Sequence, residues 1–211
     1  MKKIGLYGGS FDPVHLGHLL VAQAAVEELG LDRLFFIPAR NRRSSRKPAR
    51  VRRDPPATAP ARACWQTNYE VDELEIQRGG VSYTVDTLRE YTRRFPGAEI
   101  FYLIGADNVA KLNEWHDSAE LAKLAEFVAV PRLGGATAVF PPPFRGRTLK
   151  GFPIDISSSQ IRARIKAGLP VENLVPPFVT AAIHSARLYV RKKNPASGSK
   201  PFTTPRLTIP S

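Results

Sequence analysis

Short apolar runs alternate with amphipathic segments along most of the chain. Runs of about four to six apolar residues, bounded by glycine, proline or charged residues, are typical of strands buried on both faces. Between them lie segments with apolar residues at helical spacing, several of which end at glycine or proline. The pattern predicts strands over 4–7, 34–38, 100–104 and 127–130, and helices over 16–29, 83–95, 118–125, 157–166 and 177–189.

This alternation predicts an α/β domain with a mostly parallel sheet and helices on both faces. Residues 68–76 alternate only loosely and carry acids between their apolar positions, which favours a strand near an edge. We expect a single domain over 1–190, interrupted at 40–64 and followed by a tail over 191–211.

Those two segments differ sharply in composition from the rest of the chain. Residues 40–64 carry nine Lys/Arg and one acid but no Leu, Ile, Phe, Tyr, Met or Trp, so they cannot bury an apolar face. Residues 191–211 contain four Pro and no acid. We predict that the first is disordered or lies loosely on the surface and that the second is a flexible tail.

The formal net charge of +12 over 211 residues is concentrated in these two segments. Residues 1–39 and 65–190 are nearly neutral, so the charge gives no reason to expect nucleic acid as a partner. A protein that binds nucleic acid or an acidic surface through its basic segments is nevertheless the main alternative from another functional class. Such binding would weaken steeply with salt.

Cysteine content and hydropathy limit the kinds of site and the cellular location that can be expected. Cys64 is the only cysteine, which excludes an intrachain disulfide framework and a Cys-rich zinc site. No apolar run approaches the length of a membrane span, and the one after the amino terminus is too short for a signal peptide. We therefore expect a cytoplasmic protein without membrane attachment.

The stretch 8–18 carries the clearest chemical signal, because it joins the first predicted strand to the first helix. It begins with a glycine pair, which permits close backbone approach, and it ends at a helix start, where free N–H groups favour anions. His15 and His18 lie three positions apart, so both can donate hydrogen bonds to one phosphate, and Gly17 keeps the surface between them open. The alternative is that the histidines cap the helix or are partly buried.

A second candidate anion site begins at Ser157. Ser157 and Gln160 have the spacing of a capping box, which predicts a helix start. Hydroxyls on the first turn and Arg162 one turn later would then surround an anion. The alternative is an ordinary capped helix with a solvated arginine.

Together these motifs resemble the nucleotidyltransferase superfamily marked by His-x-Gly-His and Ile-Ser-Ser-Ser/Thr-x-x-Arg. Within it, the sequences GSFDPVH at 9–15, GVSYTVDTL at 80–88 and IGAD at 104–107 resemble the bacterial nicotinate-nucleotide adenylyltransferases. The resemblance implies a Rossmann-like fold and the reaction of ATP with nicotinate mononucleotide to give deamido-NAD and pyrophosphate. It also implies Mg²⁺, which accompanies ATP as substrate, and it leaves an oligomer possible.

The resemblance also implies roles for individual residues, with no protein ligand to a metal among them. The implied catalytic residues are His15, His18 and Arg162. The implied ATP-binding residues are Gly8, Gly9, Ser10, Phe11, Gly105, Asp107, Ser158, Ser159 and Arg162. The implied nicotinate-nucleotide-binding residues are Ser82, Tyr83, Thr84 and Trp115.

The chemistry of the residues agrees with such a reaction, because a phosphate acceptor is already an anionic nucleophile and needs no activated serine or cysteine. Alignment and positive charge near the reacting phosphates suffice. Two residues have ordinary structural alternatives: Trp115 as a half-buried aromatic and Asp107 as a helix cap.

Three points remain open at this level. Relatives in the same class adenylylate nicotinamide mononucleotide or phosphopantetheine, or transfer cytidylyl groups. Residues 40–64 lack the Pro-Pro-His-Lys-like loop and the following helix that the family carries, and two interpretations are a local reading-frame error and a genuine basic insertion. A nucleotide-binding protein with impaired catalysis is a further alternative.

Overall fold

The computed structural model describes residues 1–39, 67–131, 134, 138–152 and 154–190. The predictions for 40–64 and 191–211 lie outside this described part. Within it, no helix is both long enough and apolar enough to cross a bilayer.

Six parallel strands form one sheet in the order β3-β2-β1-β4-β5-β6. Their bounds are β1 Lys3–Gly9, β2 Arg33–Pro38, β3 Tyr69–Val71, β4 Glu99–Gly105, β5 Glu126–Val130 and β6 Gly146–Thr148. This is the strand order of a doubly wound Rossmann sheet, which confirms the predicted fold class. The sheet is parallel throughout, whereas the sequence predicted a mostly parallel one.

Helices connect the strands and cover both faces of the sheet. They are α1 Leu16–Leu29, α2 Leu74–Arg78, α3 Thr84–Arg94, α4 Ala106–Val109, α5 Ser118–Leu124, α6 Ser158–Lys166 and α7 Pro177–Ser185, with a 3₁₀ turn at Leu112–Glu114. Gly30 closes α1 with a left-handed backbone, φ 64°, as its sequence position predicted.

Alternate residues of the central strands contribute to two separate cores. In β4, Phe101 and Leu103 face a core that includes residues of α1, α6 and α7, whereas Tyr102 and Ile104 face one that includes residues of α3 and α5. This alternation follows from the two-residue period of a strand. It explains why the central strands are largely apolar on both faces: helices cover each face of the sheet.

Two predicted elements differ in extent from the observed ones. The strand predicted over 68–76 ends at Val71, because the Asp72 carboxylate accepts the Leu74 N–H at 2.9 Å and a helical turn starts there. The helix predicted over 177–189 ends at Ser185. Arg187 and Tyr189 then take left-handed backbone angles, φ 47° and 61°, which a continuing helix cannot contain.

Candidate active site

The candidate site lies at the carboxyl ends of β1 and β4, which are neighbours in the centre of the sheet. The strands β2 and β3 lie on one side of β1, and the strands β4, β5 and β6 lie on its other side. The sheet therefore changes direction between β1 and β4, and open α/β sheets bind ligands at this topological switch point. The stretch 8–18 and the Gly105 turn both leave the sheet at this edge.

The loop after β1 has a strained backbone that is fixed by packing. Phe11 has φ 44°, in the left-handed region that bulky residues avoid, yet only 2% of its surface is exposed. Its ring fills the space beside Gly9, where an added Cβ would lie 2.7 Å from the ring. Gly9 is therefore required here by a close aromatic contact, and the Phe11 side chain serves as core while its backbone shapes the loop.

His15 and His18 stack on each other at the start of α1. Their ring centroids are 3.7 Å apart with planes inclined by 27°, and the Phe11 ring meets His18 edge-on at 5.0 Å. The His15 N–H donates to His18 Nδ1 at 3.2 Å. Because Nδ1 accepts, the neutral His18 ring carries its hydrogen on Nε2, which makes that nitrogen the donor for a ligand.

Both histidines are neutral in the free protein at neutral pH. Burial lowers the pKa of His15 to about 4, and burial together with the neighbouring His15 lowers the pKa of His18 to about 3. The positive charge that the sequence predicts near the reacting phosphates therefore does not come from these two rings in the free protein. In the unliganded site they supply N–H donors, and the cationic side chain bonded to the same loop is Arg162, through the Asp12 carbonyl.

The first N–H groups of α1 are only partly open to a ligand. The Leu16 N–H donates to the Leu174 carbonyl at 3.0 Å, and the His15 N–H is taken by His18. The sequence predicted a site built on free N–H groups at this helix start. In the structure the imidazoles of His15 and His18 line the site, while the Leu174 carbonyl occupies the first helix donor.

Gly17 is buried against His15 rather than simply leaving a surface open. An added Cβ would lie 3.0 Å from His15 Nδ1 and 3.5 Å from the Cγ2 of Ile154. The missing side chain thus permits both the histidine stack and the approach of the segment before α6.

The second motif begins α6 as predicted, with a complete capping box. Gln160 N–H donates to Ser157 Oγ at 3.2 Å, and Ser157 N–H donates to Gln160 Oε1 at 2.7 Å. This confirms the helix start inferred from the sequence.

The first turn of α6 is tied to the loop after β1. Ser158 Oγ donates to the Pro13 carbonyl at 2.9 Å, and Arg162 Nη1 donates to the Asp12 carbonyl at 2.6 Å. Arg162 Nη2 donates to Ser159 Oγ at 3.1 Å. The two motifs, about 145 residues apart in sequence, therefore form one rigid unit.

A cavity of about 290 Å³ opens where the two motifs meet. His15, His18, Ser157 and Ser158 provide its polar lining. Its apolar walls include Val21, Ala24, Val130, Leu149, Ile154 and Ile156. A cavity with an apolar part and a cluster of hydrogen-bonding groups suits a nucleotide, which carries both a base and phosphates.

The residues implied to bind the nicotinate nucleotide form a second group at the start of α3. The Tyr83 ring lies 4.3 Å from the His116 ring, and Trp115 precedes His116 in the chain. The Trp115 ring also meets the buried Phe127 edge-on at 6.2 Å and is half-buried, so it has the packing role that the sequence left open. Ser82 Oγ is buried and has no hydrogen-bond partner within the described residues.

Gly105 and Asp107 form a tight turn at the end of β4. An added Cβ on Gly105 would lie 2.6 Å from Asp107 Oδ1, so the carboxylate folds back over the glycine. Gly105, not Asp107, occupies the N-cap position of α4. Asp107 therefore lies within the first turn at the sheet edge, beside the switch point.

Several residues of the site were not found by sequence reasoning. Tyr189 Oη donates to the Asp12 carboxylate, and the His116 ring lies against the Tyr83 ring with their planes inclined by 35°. The hydrophobic pattern placed Tyr189 in a helix, and nothing in the local sequence links it to a residue 177 positions earlier. The only hint of His116 in the sequence was its position directly after Trp115, a residue already implied to bind the nicotinate nucleotide.

The fold and the loop–helix site define a nucleotide-binding α/β protein, and comparison with known proteins makes this specific. The sequence model of the cytidylyltransferase-like family matches residues 6–164. A probable nicotinate-nucleotide adenylyltransferase of Opitutus terrae is 38% identical over 91% of this chain and 96% of its own length. One of Thermus thermophilus is 41% identical over 89% of this chain and 99% of its own. The chain belongs to the cytidylyltransferase-like family and, within it, to the nicotinate-nucleotide adenylyltransferases.

Solved structures support the same fold. A nicotinic acid mononucleotide adenylyltransferase of Plasmodium falciparum, complexed with NaAD, matches with a TM-score of 0.68 over 90% of this chain and 98% of its own, at 17% identity. A nicotinate-nucleotide adenylyltransferase of Vibrio parahaemolyticus matches with a TM-score of 0.62 over 90% of this chain and 96% of its own, at 20% identity. At these identities the likeness concerns the fold alone.

Proposed function

We propose that this protein transfers the adenylyl group of ATP to nicotinate mononucleotide in NAD biosynthesis. A phosphate oxygen of the mononucleotide attacks the α-phosphorus of ATP, and the bond to the β-phosphate oxygen breaks. The products are deamido-NAD and pyrophosphate. The observation that carries the proposal is one cavity lined by His15 and His18 of the first motif and by Ser157 and Ser158 of the second. Arg162 ties the second motif to the Asp12 carbonyl of the first.

The proposed ATP site uses both motifs. We infer that His15, His18 and Arg162 contact the phosphates, while the backbone of 8–11 and the first turn of α6 enclose them. Because Ser158 and Ser159 are engaged with Pro13 and Arg162, we assign them first to holding the two motifs in place. Gly105 and Asp107, at the end of β4, would then lie beside the adenosine.

The positive charge of the side chains around the reacting phosphates would increase as ATP binds. The histidines are neutral in the free protein, but a polyanion next to an imidazole favours its protonated form. Arg162 supplies permanent charge on the other side. The acceptor phosphate is itself the nucleophile, so catalysis would depend on alignment and charge stabilisation.

The proposed acceptor site lies at the start of α3. Ser82, Tyr83 and Thr84 would surround the pyridine ring, and Trp115 would stack on it. The half-buried ring of Trp115 supports this assignment, as does the Ser82 hydroxyl, which has no partner in the part of the chain that the structure describes.

We propose that Mg²⁺ enters as the MgATP complex. Among the residues that the structure describes, no group of three or more His, Cys, Asp or Glu side chains could hold a metal ion. The triphosphate would therefore provide the ligands, and the ion would neutralise part of its charge. We place the reaction in the cytoplasm, a setting consistent with a chain that has one cysteine.

The direct test is pyrophosphate release from MgATP with three separate acceptors: nicotinate mononucleotide, nicotinamide mononucleotide and phosphopantetheine. We expect the highest kcat/KM with nicotinate mononucleotide. A preference for either other acceptor would move the protein to a neighbouring activity of the same class. Release with none of them, from folded protein, would contradict the proposed function.

A further inference from the structure

The Asp12 carboxylate lies between two donors at the edge of the candidate site. Tyr189 Oη donates to one of its oxygens, Oδ1. The other oxygen, Oδ2, lies 3.9 Å from Nη1 of Arg162. The tyrosine comes from the segment after α7 and the arginine from α6, so three distant parts of the chain meet here.

The two contacts differ in kind. An ion pair between a guanidinium and a carboxylate normally has N···O distances of about 2.7–2.9 Å and is often formed by two parallel bonds. The 3.9 Å separation between Arg162 and Asp12 is much longer. Arg162 instead donates to the Asp12 main-chain oxygen and to Ser159. Its charge is therefore only partly neutralised by the neighbouring carboxylate.

The phenol is well placed to hold the carboxylate in this arrangement. The Tyr189 ring packs against the apolar core shared by α1, α6 and α7, and this fixes its hydroxyl in position. Burial and the adjacent Asp12 raise the pKa of Tyr189, so the phenol stays protonated and remains a donor.

We propose that Tyr189 is a positioning residue that keeps the Asp12 carboxylate from pairing fully with Arg162, so that the guanidinium remains available to an anionic ligand. The inference rests on the proposed function only in naming that ligand as the triphosphate of ATP. Without the phenol, Asp12 would lose its hydrogen-bond donor and turn toward the Arg162 guanidinium, 3.9 Å away. A short two-bond ion pair would then compete with the triphosphate.

The first test is the Tyr189→Phe variant, which removes the hydroxyl and keeps the packed ring. The KM for ATP should rise about fivefold, the size expected from one lost hydrogen bond. The KM for nicotinate mononucleotide should stay within about twofold, because Asp12 and Arg162 lie on the ATP side. An unchanged KM for ATP would overturn the inference.

Tyr91→Phe provides a matched control. Tyr91 Oη donates to the Asp72 carboxylate at 2.7 Å, and Arg94 pairs with the same carboxylate, so the arrangement is chemically alike but outside the site. We expect this variant to leave the KM for ATP unchanged even where it lowers the melting temperature. Equal changes in the KM for ATP in both variants would indicate a general loss of structure and would overturn the inference.

A double-mutant cycle separates positioning from packing. With Asp12→Asn there is no carboxylate to hold, so adding Tyr189→Phe should change the KM for ATP by less than about twofold. Persistence of the full effect in the Asp12→Asn background would contradict the proposed role. Asp12→Asn alone, which leaves the core intact, should keep or lower the KM for ATP, and a clear rise would also contradict it.

Calorimetric titration with ATP in the absence of any acceptor distinguishes this inference from the proposed function. The same order of affinities is expected there, with Tyr189→Phe weaker than the wild type and the double variant restored. If the wild type releases no pyrophosphate but binds ATP in this order, the proposed reaction fails and the positioning role holds. Equal ATP binding by all variants would overturn the role whatever the activity.

Discussion

The His18 side chain lines the cavity as a neutral ring, and a hydrogen bond from the main chain determines its tautomer. The His15 N–H occupies Nδ1, so the hydrogen on Nε2 is the one that a phosphate oxygen would accept. The same contact is part of the start of α1. One side chain thus shapes the helix terminus and supplies the donor, and a substitution must keep the first role if it is to test the second.

His18→Gln meets that requirement. Glutamine at this position of a capping box can accept the His15 N–H through Oε1, but it cannot become cationic. We expect kcat to fall about 100-fold, the scale for one lost transition-state interaction, because the neutral amide cannot carry the charge that a protonated imidazole would. The Kd for ATP should change by less than about threefold. Steady-state pyrophosphate release and calorimetric titration measure the two quantities.

His184→Gln is the control, because His184 lies on α7 with a side chain that is 67% exposed. It should change neither kcat nor the Kd. A His18→Gln variant that lost ATP binding in proportion to kcat would assign His18 to substrate binding alone.

The pair α2 and α3 is joined by a buried carboxylate. Glu75 is 4% exposed, and Thr87, which is fully buried, donates to its Oε1 at 2.8 Å. Arg78 contributes a longer bond to the Thr87 hydroxyl at 3.4 Å. These contacts hold together the two helices on either side of the 79–83 loop, which carries the proposed acceptor residues.

Thr87→Val should therefore destabilise the protein out of proportion to its small change in volume. It leaves a buried carboxylate oxygen without its donor, which costs about 2 kcal/mol of unfolding free energy. Thr92→Val in the same helix is the control, because Thr92 is exposed and its hydroxyl only donates to the Leu88 carbonyl of its own helix. Urea denaturation compares the two, and equal losses of stability would contradict this role of Glu75.

Among the helices and strands, the hydrophobic pattern predicted most elements but missed those that depend on contacts between distant parts of the chain. The strand β6 has only three residues, which are exposed or half-buried, and its pairing with β5 defines it. The helix α2 was read as part of a strand, because the Glu75–Thr87 contact is not visible in local sequence. For the site, the motifs around His18 and Ser157 were evident, whereas the Asp12–Tyr189 contact had no local signal.

For the whole molecule, the histidine pair links stability to pH. The folded-state pKa values, about 4 for His15 and about 3 for His18, lie below the ordinary value of 6.5. Between pH 5 and 6.5 the unfolded chain therefore binds more protons than the native one, so the free energy of unfolding falls as pH falls. For His15 alone the loss by pH 5 is about 2 kcal/mol.

Urea unfolding at pH 5, 6 and 7 measures this dependence. His18→Gln should flatten it, because one of the two buried imidazoles is gone, whereas His184→Gln should leave the wild-type slope. Identical slopes in all three proteins would show that the pair does not drive the effect.

The central place of β1 has a consequence for how the chain folds. β1 pairs with β2 through contacts such as Ile4 with Arg33, a short loop, but with β4 through contacts such as Lys3 with Glu99. Closing the longer loop costs more entropy and slows folding. We expect the unit of β1, α1 and β2 to form early and to expose one edge of β1 until β4 arrives. During synthesis, the glycine–histidine loop would thus take shape long before the helix that completes its pocket.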